Sequence, residues 1–165
     1  MSSRSLATRF ALASAAALAA LALSGCAAAV SLEPAADASS AACADVVVRL
    51  PQSVADQPER ETDAQGTGAW GDPAAVLLRC GVPTPGPTTA ACVNVNGVDW
   101  IEDDSDAPRY RFTTYGRTPA VEVILDYDEV SGATTLTDLA QAVSILPQDR
   151  KCTDVDDIPT PTATP

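Results

Sequence analysis

Four cysteines, Cys43, Cys80, Cys92 and Cys152, restrict this chain more than any other feature, because an export signal precedes them. Arg4 and Arg9 open the sequence, an uncharged Ala/Leu run follows from Phe10, and Leu23-Ser24-Gly25-Cys26 closes it. A positive start, a short apolar stretch and small residues before the cut define a secretory signal. A cysteine at the cut gives the pattern of a bacterial lipobox. Outside the cytosol, an even number of cysteines reads as a disulfide framework, here two bridges with three possible pairings. The spacing favours Cys80 with Cys92, closing a loop over Val82-Pro83-Thr84-Pro85-Gly86-Pro87, and Cys43 with Cys152, joining the domain's ends; the other two pairings stay open. Loop entropy assigns about 3 kcal/mol to the short loop and about 4.7 kcal/mol to the long one. Those values rival the whole stability of a small domain, about 5–15 kcal/mol. A redox pair needs CxxC spacing and a zinc site needs clustered Cys and His; neither pattern occurs, and the chain has no His.

The mature protein is expected to begin at a lipidated Cys26, since two acyl chains hold a protein at a membrane where one does not. An uncleaved membrane helix is the competing reading, because Phe10 to Val30 nearly spans a bilayer at about 20 residues. Its Ala-rich composition and the small Ser24 and Gly25 favour cleavage. The expected organisation is a signal peptide over 1–25, a flexible tether over 26–44, one globular domain over 45–152 and a disordered Pro/Thr-rich tail over 153–165. Loss of Arg4 and Arg9 takes the formal charge from −12 to −14, since residues 1–25 hold no acid. Such acidity excludes nucleic acid as a partner and disfavours adhesion to anionic headgroups, both of which reward clustered Lys and Arg.

Within the domain the pattern predicts short elements. Asp45–Leu50 reads as a strand stopped by Pro51, Gln52–Arg60 as a polar helix or turn, and Glu61–Gly71 as a loop. Ala74–Cys80 suits a buried strand. Cys92–Val95 and Val98–Ile101 flank Asn96-Gly97, whose tolerance of positive φ marks a tight hairpin. After an acidic loop over Glu102–Asp106, Tyr110–Tyr115 and Ala120–Tyr127 read as two more strands. Thr135–Leu146 carries Leu136, Leu139, Ala140, Val143 and Leu146 at helical spacing, with Thr135 and Asp138 resembling a capping box. The expected fold is α+β: a small antiparallel or mixed sheet with one main amphipathic helix, braced by two disulfides.

Trp70-Gly71-Asp72-Pro73, Arg79-Cys80-Gly81-Val82, Cys92, Gly97-Val98-Asp99-Trp100 and Tyr115-Gly116-Arg117-Thr118-Pro119-Ala120-Val121-Glu122-Val123 occur in this order. On these residues, from about Cys43 to Cys152, the chain resembles domain-of-unknown-function family 3515, exported lipoproteins of high-GC Gram-positive bacteria. The resemblance implies a membrane-anchored envelope protein and carries no catalytic residue or cofactor with it.

Chemistry is sparse. Without His, Ser-His-Asp and Cys-His sites are impossible, and no Gly-rich phosphate loop is present. Glu102, Asp103, Asp104 and Asp106 read as a solvated loop. Asp126, Asp128 and Gly132 lack the register of a calcium loop because Val130 takes its fifth position, so no metal or cofactor is expected. The residue types that dominate binding surfaces are Trp70, Trp100, Tyr115, Arg79 and Arg117, each also able to serve as core packing or an ion pair. The leading reading is a non-catalytic lipoprotein that binds an envelope protein or cell-wall component. The alternatives are a hydrolase using carboxylates such as Asp99 and Glu122, and a small-ligand delivery protein with a pocket of several hundred Å³.

Overall fold

Val76, Leu78 and Cys80 alternate with Leu77 and Arg79, while Val121, Val123 and Leu125 alternate with Glu122 and Ile124; the first sets are buried. A period of two puts each set on one face of a strand, so β4 (Val76–Val82) and β8 (Ala120–Asp126) share one buried face. The computed structural model describes residues 28–152. In it β4 and β8 are the central neighbours of an eight-stranded sheet, ordered β1-β2-β3-β4-β8-β7-β6-β5 and antiparallel at every pairing. The other strands are β1 Ser53–Val54, β2 Gln57–Arg60, β3 Thr67–Trp70, β5 Cys92–Val95, β6 Val98–Asp106 and β7 Arg109–Thr114. Strands β1 to β4 step from one edge to the centre, the Pro-rich segment 83–91 crosses to the far edge, and β5 to β8 step back. The fold is α+β as expected, with a larger sheet and, among the described residues, two helices, α1 (Ala41–Val47) and α2 (Gly132–Val143).

Both helices supply the core that the sheet's inner face needs. Leu136, Leu139, Ala140 and Val143 of α2, followed by Leu146, join Cys43 and Val46 of α1 in one cluster with Trp70, Leu78, Trp100, Phe112 and Val123. Helix α2 starts earlier than the pattern at Thr135 indicated. Ser131 is its cap, its Oγ accepting from the Thr134 N–H at 3.4 Å, and the Thr135 hydroxyl instead bonds back to the Ser131 carbonyl at 2.9 Å.

The disulfides are Cys43–Cys80 and Cys92–Cys152, not the favoured Cys80–Cys92 and Cys43–Cys152. Topology explains the correction. Residues 80 and 92 are near in sequence, but β4 is central and β5 lies at the edge. Four strand spacings of about 4.8 Å separate them, well beyond the about 4.4–6.8 Å between Cα atoms that a disulfide bridges. Helix α1 instead brings Cys43 over the inner face of β4, 5.5 Å from Cys80 between Cα atoms. The segment after α2 passes the β7–β8 turn, where the Asp149 N–H donates to the Gly116 carbonyl at 2.8 Å, and reaches Cys92 at the edge. Gly116 sits there at φ 69°, and a Cβ on it would run into the Arg150 backbone.

The N-terminal boundary also differs. Residues 28–44, expected to form a tether, lie along the sheet: Val30 pairs with Thr62 and the Asp37 N–H donates to the Gly81 carbonyl at 3.1 Å. Asp45–Leu50, read as a strand, holds the end of α1, which Ser40 caps by accepting from the Cys43 N–H. Gln52–Arg60 is a β-hairpin whose turn residues Ala55 and Asp56 both take positive φ, a conformation that alanine does not advertise. Glu61–Gly71 contains the buried strand β3, hidden by its small residues; Gly68 is needed because Leu50 and the Trp70 ring occupy the space a Cβ would fill. Glu102–Asp106 continues β6 instead of forming a loop. Cys26 and the tail over 153–165 lie outside the described residues.

Candidate functional site

Both helices pack on one side of the sheet, and no described helix covers the other. On that open side the register places Arg79 of β4 opposite Glu122 of β8, with Leu77 opposite Ile124, and Ile124 opposite Arg111 of β7. Glu122 is the sharpest feature there. It interrupts the apolar run Val121-Glu122-Val123, and its side chain is 7% exposed. A carboxylate so placed needs compensation. Arg79 supplies it through Nε and Nη2, each 2.9 Å from Oε1, and Arg111 adds Nε at 3.3 Å from Oε2. Two guanidiniums share this one carboxylate, and Asp103 stands opposite Arg111 in the register, so the spot is a cluster of mixed charge.

Arg111 is half exposed and stands opposite Asp103, and Arg109 lies two residues along the same strand face, opposite Asp106 and Asp126. Two shallow depressions of about 160 and 250 Å³ adjoin the spot and share Arg109 and Ile124. Asp103 and Asp106 border the first. The Asp103 carboxyl is held below its usual range by Ser105, which donates to it, and secondarily by Arg111.

Substitution of Glu122 by Gln keeps the side chain's shape and removes the charge that holds both arginines. Breaking a fully buried pair costs about 3–5 kcal/mol. The partial exposure of Arg79 and Arg111 reduces the expected loss to about 1–3 kcal/mol, read as a lower urea midpoint; an unchanged midpoint would show that the pairs contribute nothing.

The five residues expected at a binding surface separate in the structure. Trp70 and Trp100 have no exposed surface and belong to the core. The Trp70 indole donates to the Pro51 carbonyl at 2.9 Å, whereas the Trp100 indole N–H has no partner among the described residues. Arg117 is 4% exposed and its Nη atoms donate to the Ser144, Leu146 and Gly97 carbonyls, a brace between the end of α2 and the β5–β6 turn. Burial pushes its guanidinium below the usual value, opposed by the charge of Asp99. Tyr115 is half-buried and its backbone N–H donates to the Asp99 carbonyl at 2.8 Å. Of the five, Arg79 alone reaches the charged spot on the open face.

Sequence reasoning passed over Arg111 and gave Glu122 a different role. The available signal was an acid inside a Val-rich strand with arginines on strands that could flank it.

Asp99 and Glu122 stand apart in the sheet. Two strand spacings of about 4.8 Å and two residues of about 3.4 Å lie between them, roughly 12 Å. Asp99, 3% exposed, accepts from Asn94 and Gln148 at 2.7 Å each, and its depression, about 330 Å³, does not include Glu122. Among the described residues, no group of three or more Cys, Asp or Glu is placed to hold a metal ion, and no helix is long and apolar enough to cross a membrane.

No curated protein and no solved structure matches the chain. A family model does: "Protein of unknown function (DUF3515)" matches residues 5–151, ending at the residue before Cys152. That span covers most of the chain, and the protein belongs to the DUF3515 family.

Proposed function

We propose that this protein is a lipid-anchored binding module at the outer face of the cytoplasmic membrane, with no catalytic role, which holds an envelope protein or cell-wall component on its open sheet face. One observation carries the reading: on an uncovered face Arg79 and Arg111 share a single buried carboxylate, and the exposed Arg109 and Arg111 present guanidiniums at the surface beside Asp103, Asp106 and Asp126. Arginine is favoured at contact centres because its planar fork pairs with carboxylates bidentately. The fitting partner therefore presents carboxylates or comparable anions. Export and anchoring rest on the Arg4 and Arg9 start, the apolar run from Phe10 and the Leu23-Ser24-Gly25-Cys26 ending.

A delivery protein would need a mostly apolar pocket of about 300–1,000 Å³. The depression of about 330 Å³ is lined by Asn94, Asp99, Gln148 and Lys151, a polar set that does not favour this alternative.

The test compares partners crosslinked in intact cells to the native protein and to an Arg109→Ser, Arg111→Ser double variant. Arg79 still pairs Glu122 in that variant, so the fold is expected to survive, as circular dichroism would verify. Partner recovery is expected to fall about tenfold, the equivalent of roughly 1.4 kcal/mol; undiminished recovery would remove the open face from the proposal.

A further inference from the structure

We infer that the fold grips the chain immediately after the lipid anchor, so that the membrane surface lies along the β2–β3 edge and the C-terminal segment leaves from the opposite edge. This rests on the anchor proposed at Cys26.

The grip begins at Ala28, whose carbonyl accepts from Arg60 Nη2 at 3.0 Å. The Val30 N–H donates to the Glu61 carbonyl at 2.8 Å, and the Asp63 N–H returns to the Val30 carbonyl at 3.2 Å. Leu32 donates its N–H to Asp63 Oδ1 at 2.9 Å. Further along, Ala38 is buried and the Asp37 N–H bonds the end of β4. The backbone is thus held in register from two residues beyond Cys26. Two residues reach at most about 7 Å when extended, comparable to the thickness of one headgroup layer, about 5–7.5 Å.

The opposite limit comes from the second disulfide, which ties Cys152 to Cys92 on β5. From β2 to β5 there are six strand spacings, about 29 Å along the sheet. Lipid and tail therefore leave from opposite edges of one stiff sheet, and a partner of the open face meets it close to the membrane.

Attraction to headgroups does not produce this pose. Glu59, Glu61, Asp63 and Asp72 are all exposed around the gripped segment, while Arg60 is engaged with Asp72 at 2.8 Å. An anionic membrane repels such an edge, so the short covalent leash alone keeps it near.

Lys151 is the chain's single lysine and lies exposed beside Cys152, so with the α-amino group of Cys26 acylated beforehand an amine-reactive donor dye reports the far edge. A Glu59→Lys, Lys151→Arg variant reports the near edge. The full lipidated protein is placed in phosphatidylcholine vesicles carrying an acceptor-labelled lipid. Energy transfer is expected to be several-fold stronger from position 59 than from position 151. Ten Gly/Ser residues inserted between Ala27 and Ala28 should abolish the difference. Equal transfer from both positions in the native chain overturns the inference while leaving the anchor in place. A mature N-terminus whose mass shows no lipid on Cys26 overturns the anchor itself, and the inference with it.

Discussion

Replacing Cys43 and Cys80 by alanine together is expected to lower the stability of this protein by about 4 kcal/mol, a large part of the roughly 5–15 kcal/mol available to a domain of this size. The bridge closes a 37-residue loop, and loop entropy in the unfolded chain sets the scale. Packing adds to it, because both cysteines are completely buried and belong to the same cluster as Leu78, Val121 and Leu139. The bridge also fixes α1 to β4 directly after the gripped segment 28–38, so its loss frees the whole N-terminal strap. Urea unfolding of the double variant, followed by circular dichroism, should show a much lower midpoint. Removing Cys92 and Cys152 opens a 60-residue loop but spares the core, since both residues are half-buried. The ordering of the two variants therefore separates core packing from loop entropy. An equal or smaller effect from the Cys43–Cys80 pair would show that burial of that bridge adds nothing. Mass spectrometry of non-reduced fragments should recover 43–80 and 92–152 links; an 80–92 link would sink the topology itself.

Elements whose local signal agrees with their tertiary role were legible in the sequence. The Asn96-Gly97 hairpin, the strands on either side of the Gly116-Arg117-Thr118-Pro119 turn and the amphipathic helix α2 all stand where periodicity put them, give or take a few residues. What escaped was set by long-range packing. Strand β3, Thr-Gly-Ala-Trp, is short and carries the strand-weakening Gly68 and Ala69 at its centre, and it is held by β2 and β4 on either side, with Trp70 filling the space above Gly68. The β1–β2 turn uses Ala55 at φ 48°, held by an N–H bond to Asp138 of α2 at 2.8 Å, a constraint 83 residues away. The disulfides failed for the same reason: pairing depends on strand order, and strand order is not local.

The same distinction governs the surface. Large aromatic and arginine side chains were reasonable anchors by residue type, yet Trp70, Trp100 and Arg117 serve the interior. Glu122, weighed as a possible catalytic acid, holds two arginines on the open face instead. An acid inside an apolar strand shows in the sequence as a conflict between pattern and chemistry, and only the register identified its partners.

Arg117 gives the second large effect. An Arg117→Met variant is expected to lose about 3–5 kcal/mol, the range measured when one member of a buried polar arrangement is removed. Met fills much of the same volume, so the loss reports hydrogen bonding more than a cavity. Three backbone carbonyls, Ser144, Leu146 and Gly97, lose a donor; Leu146 is buried, at about 1–3 kcal/mol if left unsatisfied, whereas the exposed Ser144 and Gly97 can turn to water. Against this stands the cost of burying the guanidinium, visible in its lowered pKa, so the net effect lies below the simple sum. Arg117→Lys tests geometry: one ammonium keeps the charge near Asp99 but cannot serve the end of α2 and the β5–β6 turn at once. It should recover less than half of the lost stability. Hydrogen exchange gives the decisive reading, because the brace acts on named amides. Protection at Ser144 and Leu146, whose N–H groups bond the Ala140 and Val143 carbonyls, should fall more than protection in β4 and β8. A uniform fall across the sheet, or a urea midpoint that Met leaves unchanged, would show that the guanidinium does not pin the helix end to the turn.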